Sequence, residues 1–417
     1  ESGQKPNAAS GGLIRELMHP NNSGSIHGVR FSADGTKLIA GGYPGGVVVV
    51  WDVASGKQLV KIETGQGYRG SAEYFFVSPD WQTVFVSQYT RKLERIEVDG
   101  TPMTRWEYDG EVRAWDLATG KLSRTYKHSP PRGIIWMQLS PDGTMFVTVE
   151  QLSGVAQREI KASATHWDVK TGRQLSFGAK LQPYGVFSHD SRMFAQTTSD
   201  DVGYTRTLKV FDVPAGKEKW SVAVKEQCAW VNFAGFSPDG RLVAVNHRVF
   251  DKPMQWDGEQ SRFKLLDAAT GREIADLAGE KNATFTSARF APNGRTLVAL
   301  NWHTPMQARA VDHTRKLYFF RLADKQPPQT LILGAVTKGQ WFVCRDPAFR
   351  PDSKWLAVIT QLIPDAGAEN PDPLNIPPAR VHLIDVASGA IRETLTCPPG
   401  FATCACFSPD GRTLATS

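Results

Sequence analysis

The side chains able to do chemistry in this chain collect in a few stretches. NWHTPMQARAVDHTR, from Asn301, holds Trp302, His303, Asp312, His313 and Arg315, and HRVFDKPMQWDGEQ, from His247, holds His247, Asp251, Trp256 and Asp257. Histidine with aspartate is the raw material of a metal site or an acid–base pair. Neither stretch has a recognised ligand spacing, however, and a metal needs three or four ligands in fixed geometry, so no metal and no cofactor are expected. RKLERIEVDGTPMTRWEYDG, from Arg91, places Arg91, Arg95, Arg105, Trp106 and Tyr108 around Asp99 and Gly100, the tip of a projecting hairpin. Arginine and aromatic side chains are what protein interfaces use as anchors. Packing of Trp106 and Tyr108 onto the sheet beneath the hairpin is the competing role.

Catalytic signatures are missing: there is no nucleophile-elbow pattern, no phosphate-binding glycine loop and no cysteine pair of the haem-attachment type. The chain is read as a non-enzyme, although groups gathered from distant segments would leave no local motif. The five cysteines, Cys228, Cys344, Cys397, Cys404 and Cys406, are odd in number and irregular in spacing, which is not a disulfide framework. Cys404 and Cys406 fall on one face of a strand without a second pair and read as small buried hydrophobes. His166, in an apolar column, reads as a core histidine. ITQLIPDAGAENPDPLNIPPAR, from Ile359, is proline-rich with acids at Asp365, Glu369 and Asp372, a stiff extended loop that either contacts a partner or lies on the surface.

What must position these loops is a repeat. FSPDGRLVA, from Phe236, recurs along the whole length; aligned on the third turn residue, the copies fall at Asp34, Asp80, Asp142, Asp190, Asp239, Asn293, Asp352 and Asp410. Ser, Pro, Asp and Gly suit successive positions of a type I turn, and the flanking apolar alternation makes each copy an antiparallel hairpin. After seven of them comes a second unit, as in VVVWDVASGKQL from Val48, VRAWDLATGKL from Val112 and ATHWDVKTGRQL from Ala164. Its apolar column alternates with a polar one at the period of a strand, and its glycine suits the next turn. Each repeat is therefore four strands. The spacing, 46 residues from Asp34 to Asp80 and 62 from Asp80 to Asp142, is that of β-propeller blades.

The Trp-Asp pairs Trp51-Asp52, Trp115-Asp116 and Trp167-Asp168, with the SPDG hairpins, make the chain resemble the WD-repeat family over nearly its entire length. The resemblance implies an all-β propeller and is nearly silent on activity. The Gly-His pair such repeats often carry before the first strand is largely missing, and Phe211, Leu266, Phe320 and Ile384 stand in place of Trp. Apolar packing between blades is therefore expected to carry the stability that a hydrogen-bonded network supplies in the family.

The expected architecture is eight four-stranded blades in a single domain over 1–417. The last blade is composite: CFSPDGRTLATS from Cys406 ends after a second strand, while NAASGGLIREL from Asn7 matches a turn and a fourth strand. The chain starts at Glu1 without a signal-peptide pattern and reads as a processed product or an excised domain. No apolar run approaches the roughly 20 residues of a membrane helix, so no membrane insertion is expected. The net charge of +6 is spread through the repeats, which reads as a solvated surface and not a nucleic-acid site. Long second-to-third strand connections, at about 88–110, 150–161, 197–206, 246–261, 301–315 and 360–379, emerge on one side of the disc. That face is expected to dock a partner protein or peptide. A propeller enzyme with a central cofactor or metal, or a sensor for a small molecule or glycan, are the alternatives.

Overall fold

The computed structural model describes residues 12–20, 25–43, 46–64, 75–98, 101–129, 131–151, 154–155, 162–175, 185–199, 206–224, 229–249, 260–280, 285–301, 314–324, 326–335, 340–345, 347–364, 377–398, 400 and 402–417. Every turn of the SPDG type closes as its side chains dictate. In the first, the Ser32 hydroxyl donates to Asp34 Oδ1 (2.5 Å), Asp34 Oδ1 accepts from the Thr36 N–H (3.0 Å), and Ser32 Oγ accepts from the Lys37 N–H (2.9 Å). The same serine–aspartate pair recurs at Ser78, Ser140, Ser188, Ser237 and Ser408. These bonds, that from Ser32 foremost, hold the Asp34 carboxyl at about 2, below the ordinary value. Where arginine replaces the serine, the Arg350 guanidinium takes over the pairing with Asp352 (Nε to Oδ1, 2.9 Å).

Strand pairing then follows chain order. Blade one consists of Ser25–Phe31, Lys37–Tyr43, Val47–Asp52 and Gln58–Glu63, hydrogen-bonded in sequence as an antiparallel meander. Blades two to seven, built alike, span 75–127, 133–175, 185–224, 229–278, 285–335 and 340–396. The aspartate of each Trp-Asp unit caps the turn behind it; Asp267 Oδ1, for example, accepts from the Thr270 N–H (2.8 Å) and hydroxyl (2.6 Å). Gly271 in that turn has φ +75°, and a Cβ there would stand 2.8 Å from the Trp220 ring of the preceding blade. Trp220 Nε1 donates to the Ala268 carbonyl at the same place (3.0 Å), so the turn is pinned by its neighbour.

Apolar faces meet between blades. Phe85, Val112 and Tyr126 of blade two pack on Ile134, Met137, Phe146 and Trp167 of blade three, with Phe146 and Trp167 stacked at 5.9 Å. Equivalent clusters fill the other interfaces, for instance Val298, Leu317 and Phe319 against Leu356, Val358 and Ile384 between blades six and seven. Burial of such side chains is the main favourable term available to the fold.

The blade count differs from the expectation. Seven blades are complete, not eight; the eighth position holds a two-stranded sheet, Ala405–Phe407 paired with Leu414–Thr416, and residues 12–20 contain no strand. The composite four-stranded blade is therefore not formed among the described residues, and the expected third strand at 3–6 lies outside them. Among the described residues the outer segment 12–20 joins no backbone ladder. It docks through side chains instead. Arg15 Nη2 donates to the Ala54 carbonyl (2.9 Å), as Arg124 Nη1 of blade two does to Lys170 (2.8 Å), and Leu17 packs in the cluster of Val29, Trp51 and Ala415.

The hairpin wedges between blades one and seven. Ala405, Phe407 and Leu414 pack on Ala357, Ile359 and Val381 of blade seven, while Cys404, Cys406 and Ala415 pack on Val29 and Leu38 of blade one. Thr403 Oγ1 donates to the Ile26 carbonyl, and Ser417 Oγ reaches the same atom at 3.2 Å.

A polar network survives in blade three, beside the apolar packing expected to carry more of the stability. Trp167 Nε1 donates to Thr148 Oγ1 (3.0 Å), and the Thr148 hydroxyl donates to Glu150 Oε1 (2.6 Å). His128 Nε2 lies 3.3 Å from Thr148 Oγ1 and 3.4 Å from Glu150 Oε1, while Arg132 stands 3.6 Å from Glu150 Oε2. Thr148 spends its single proton on Glu150, so a neutral His128 protonated at Nε2 supplies the remaining donor. Blade three lacks the Gly before its His, having Lys127 there, and the network forms without it.

Two predictions follow from closure and from this network. Removing 402–417 uncovers apolar residues of blades one and seven and should produce concentration-dependent association and a lower melting temperature, read by light scattering and calorimetry. Burial, then Arg132, lowers the His128 pKa from 6.5 to about 4, and burial lowers those of His19 and His382 as well. The folded state thus favours neutral imidazole: the His128 contribution is complete above pH 6.5 and is lost as pH falls towards 4. It amounts to on the order of 3 kcal/mol, so His128→Gln should flatten the stability–pH curve in that window, measured by denaturant unfolding.

Candidate functional site

The antiparallel order of every blade puts its second-to-third connection on the same side as the links between blades. Among the described residues, only blade two carries that connection out as a long regular ribbon. Its second and third strands, Thr83–Val98 and Thr101–Asp116, are each 16 residues long and stay in register from Thr83↔Asp116 to Val98↔Thr101. The result is an arm projecting past the disc. Register sets Arg91 opposite Tyr108, Leu93 opposite Trp106, Glu94 opposite Arg105 and Arg95 opposite Thr104.

The arm does not stand unsupported. Gly154–Val155, from the second-to-third connection of blade three, pairs antiparallel with Trp106 and Arg105 and adds a strand to it. At its base the buried Tyr108 lies over Gly133 of blade three, where a Cβ would stand 2.8 Å from the ring. Gly110 approaches blade three as closely; a Cβ there would be 2.5 Å from the Arg132 carbonyl oxygen. Burial disfavours the Glu111 carboxylate at the foot of the arm, but Lys127 (2.9 Å) and Arg113 (2.5 Å) outweigh it and hold its pKa low.

The structure sorts the residues singled out from sequence. Arg95 is exposed on the arm, and Arg91, Arg105 and Trp106 are placed there by register. Tyr108 is buried at the base, the packing role weighed above. His247 is 2 % exposed within the strand Leu242–Val249, and Arg315 is 3 % exposed within Thr314–Arg321, where burial lowers its pKa against an opposing effect of Cys344. Neither presents a surface in this state. Trp256, Trp302, His303 and His313 lie outside the described residues. His166 is fully buried, edge-on to Phe194 at 4.9 Å. Cys404 and Cys406 are half-buried at the seam.

A second feature was missed. The inner strands line an axial cavity of about 1600 Å³, to which Arg30, Arg289, Arg345 and His189 contribute. Arg30 and Arg289 both stand four residues before the turn residue of their repeats, Asp34 and Asn293. Aligning the repeats and reading that column around a ring would have exposed them.

Seven meander sheets and a closing hairpin about a central cavity define a β-propeller. Residues 11–52 match the family model described as WD domain, G-beta repeat. With the Trp-Asp units and SPDG turns in place, the chain is a β-propeller in which residues 11–52 match a WD repeat. No curated protein matches the sequence. Among solved structures, a eukaryotic initiation factor is 13% identical, with a TM-score of 0.50 and 91% of this chain and 89% of that chain covered. The Dos1 propeller is 13% identical at a TM-score of 0.51, covering 82% and 76%. The dihydro-heme d1 dehydrogenase NirN in complex with DHE is 12% identical at a TM-score of 0.57, covering 93% and 69%. At these identities the likeness is one of fold.

The contact at the base of the arm is testable. Gly133→Val should displace Tyr108, lower stability by roughly 1–3 kcal/mol and open the arm to limited proteolysis near 98–101, while Gly133→Ser should do so more mildly.

Proposed function

We propose that the protein is a recognition module that docks a partner protein or peptide on the face bearing the second-to-third strand connections, with the blade-two arm as the principal contact. One observation carries this reading: a 16-residue strand pair extends beyond its blade and is braced by a strand from the next one. Surface loops of this regularity are not needed to close a blade, as the short connections on the other face demonstrate. A WD-repeat propeller supports an interaction role in general. Arg91, Arg95, Arg105 and Trp106 supply the residue types that anchor interfaces, and Trp256, Trp302, His303 and His313, which lie outside the described residues, belong in sequence to the second-to-third connections of blades five and six. Tyr108, His247 and Arg315 are buried and act here as supports of that face.

Affinity capture from the native source with the full chain and with a variant lacking 93–106 tests this. The expected result is a protein held by the full chain and lost from the variant, with the two melting alike. Equal capture by both, at equal melting temperature, removes the arm from the interface.

A further inference from the structure

The axial cavity is lined unevenly in charge. Among its described lining residues are three arginines, Arg30, Arg289 and Arg345, and His189, and none is aspartate or glutamate. Arg30 and Arg289 belong to the inner strands of blades one and six, and both side chains are open to solvent in the cavity. Arg30 also lies over the Phe76 ring, 5.7 Å from its centroid, which fixes the guanidinium in place.

These like charges act on one another. The enclosing protein, and after it Arg289, push the Arg30 pKa below its ordinary value. Arginine remains protonated all the same. The nearby thiols offer little relief, because burial pushes Cys406 up to about 12 and leaves it neutral. Four polar atoms of cavity-lining residues are buried without a hydrogen-bond partner: Ser287 Oγ, Gln138 Oε1, Asn246 Oδ1 and Arg345 Nε. Buried donors and acceptors in folded proteins are normally satisfied. Ser287 is two residues from Arg289 on the same strand, hence on the same face of it.

We propose that the axial cavity binds a small polyanion, a phosphate- or carboxylate-bearing molecule held between Arg30 and Arg289 with the Ser287 hydroxyl as a further donor. An anion there converts a repulsive pair into two charge-assisted contacts, each with the forked geometry that suits phosphate and carboxylate oxygens. The cavity has room for a molecule much larger than either group alone. This site is independent of the looped face and does not require a protein partner.

The test uses the full chain with inorganic phosphate and with citrate, each against sodium chloride at matched ionic strength, followed by thermal melting and titration calorimetry. A saturable rise in melting temperature with phosphate alone assigns a phosphate ligand, and one with citrate alone a carboxylate ligand; a response to both supports the shared site. Arg30→Gln with Arg289→Gln should weaken binding at least about tenfold. Arg289→Gln alone should melt above the parent chain without anion, since it removes the repulsion. Should the double variant fail to fold, Arg30→Lys with Arg289→Lys keeps the charge, loses the fork and should bind more weakly than the parent. No response beyond that of chloride, or an undiminished response in the variants, overturns the proposal.

Discussion

The structure rests on burying both faces of small sheets that have no core of their own. A four-stranded meander such as Ser25–Phe31 to Gln58–Glu63 has one apolar face towards each neighbour, and Ile39, Val48 and Ile62 are covered only because blade two supplies Phe75, Val84 and Val86. Each blade depends in this way on the next, so stability belongs to the ring. That requirement explains how a two-stranded sheet can occupy the eighth position. What blades one and seven need there is apolar surface beside their inner strands, and Ala405, Phe407 and Leu414 on one side with Cys404, Cys406 and Ala415 on the other provide it.

Polar groups are placed where the meander leaves backbone unpaired. The turn aspartates collect N–H groups of their own turns, and side chains reach carbonyls of turns beyond their own segment: Arg15 on blade one, Arg124 and Tyr126 on blade three, Trp220 on blade five, Arg321 on blade seven. One buried exception is the set around Glu150, where a fully buried carboxylate is tolerated because Thr148, Thr165 and Arg132 surround it.

Local chemistry was legible in the sequence and long-range assembly less so. The SPDG turns, the Trp-Asp turns and the projecting hairpin at Asp99 and Gly100 are set by residues within a few positions of one another, and the sequence reading of them stands. Counting turns counts hairpins, and eight hairpins exist; whether a hairpin becomes a full blade depends on a ladder with a distant segment, which residues 12–20 do not make. Tyr108, His247 and Arg315 were assigned to loops because pattern reading ends a strand where alternation fades. Pairing with a neighbour carried those strands further and buried them. The cavity arginines were hidden for the opposite reason: their column runs Arg30, Phe76, Gln138, Val186, Gly235, Arg289, which has no pattern along the chain and gains meaning only around an axis.

The short strand at Gly154–Val155 gives blades two and three a shared backbone ladder on top of their shared apolar interface. Repeats of this kind ordinarily vary their excursions one at a time, since each begins and ends within its own sheet. Here a length change in either excursion slips a register held jointly, so the two segments are tied in inheritance and are expected to change together across descendants of this chain.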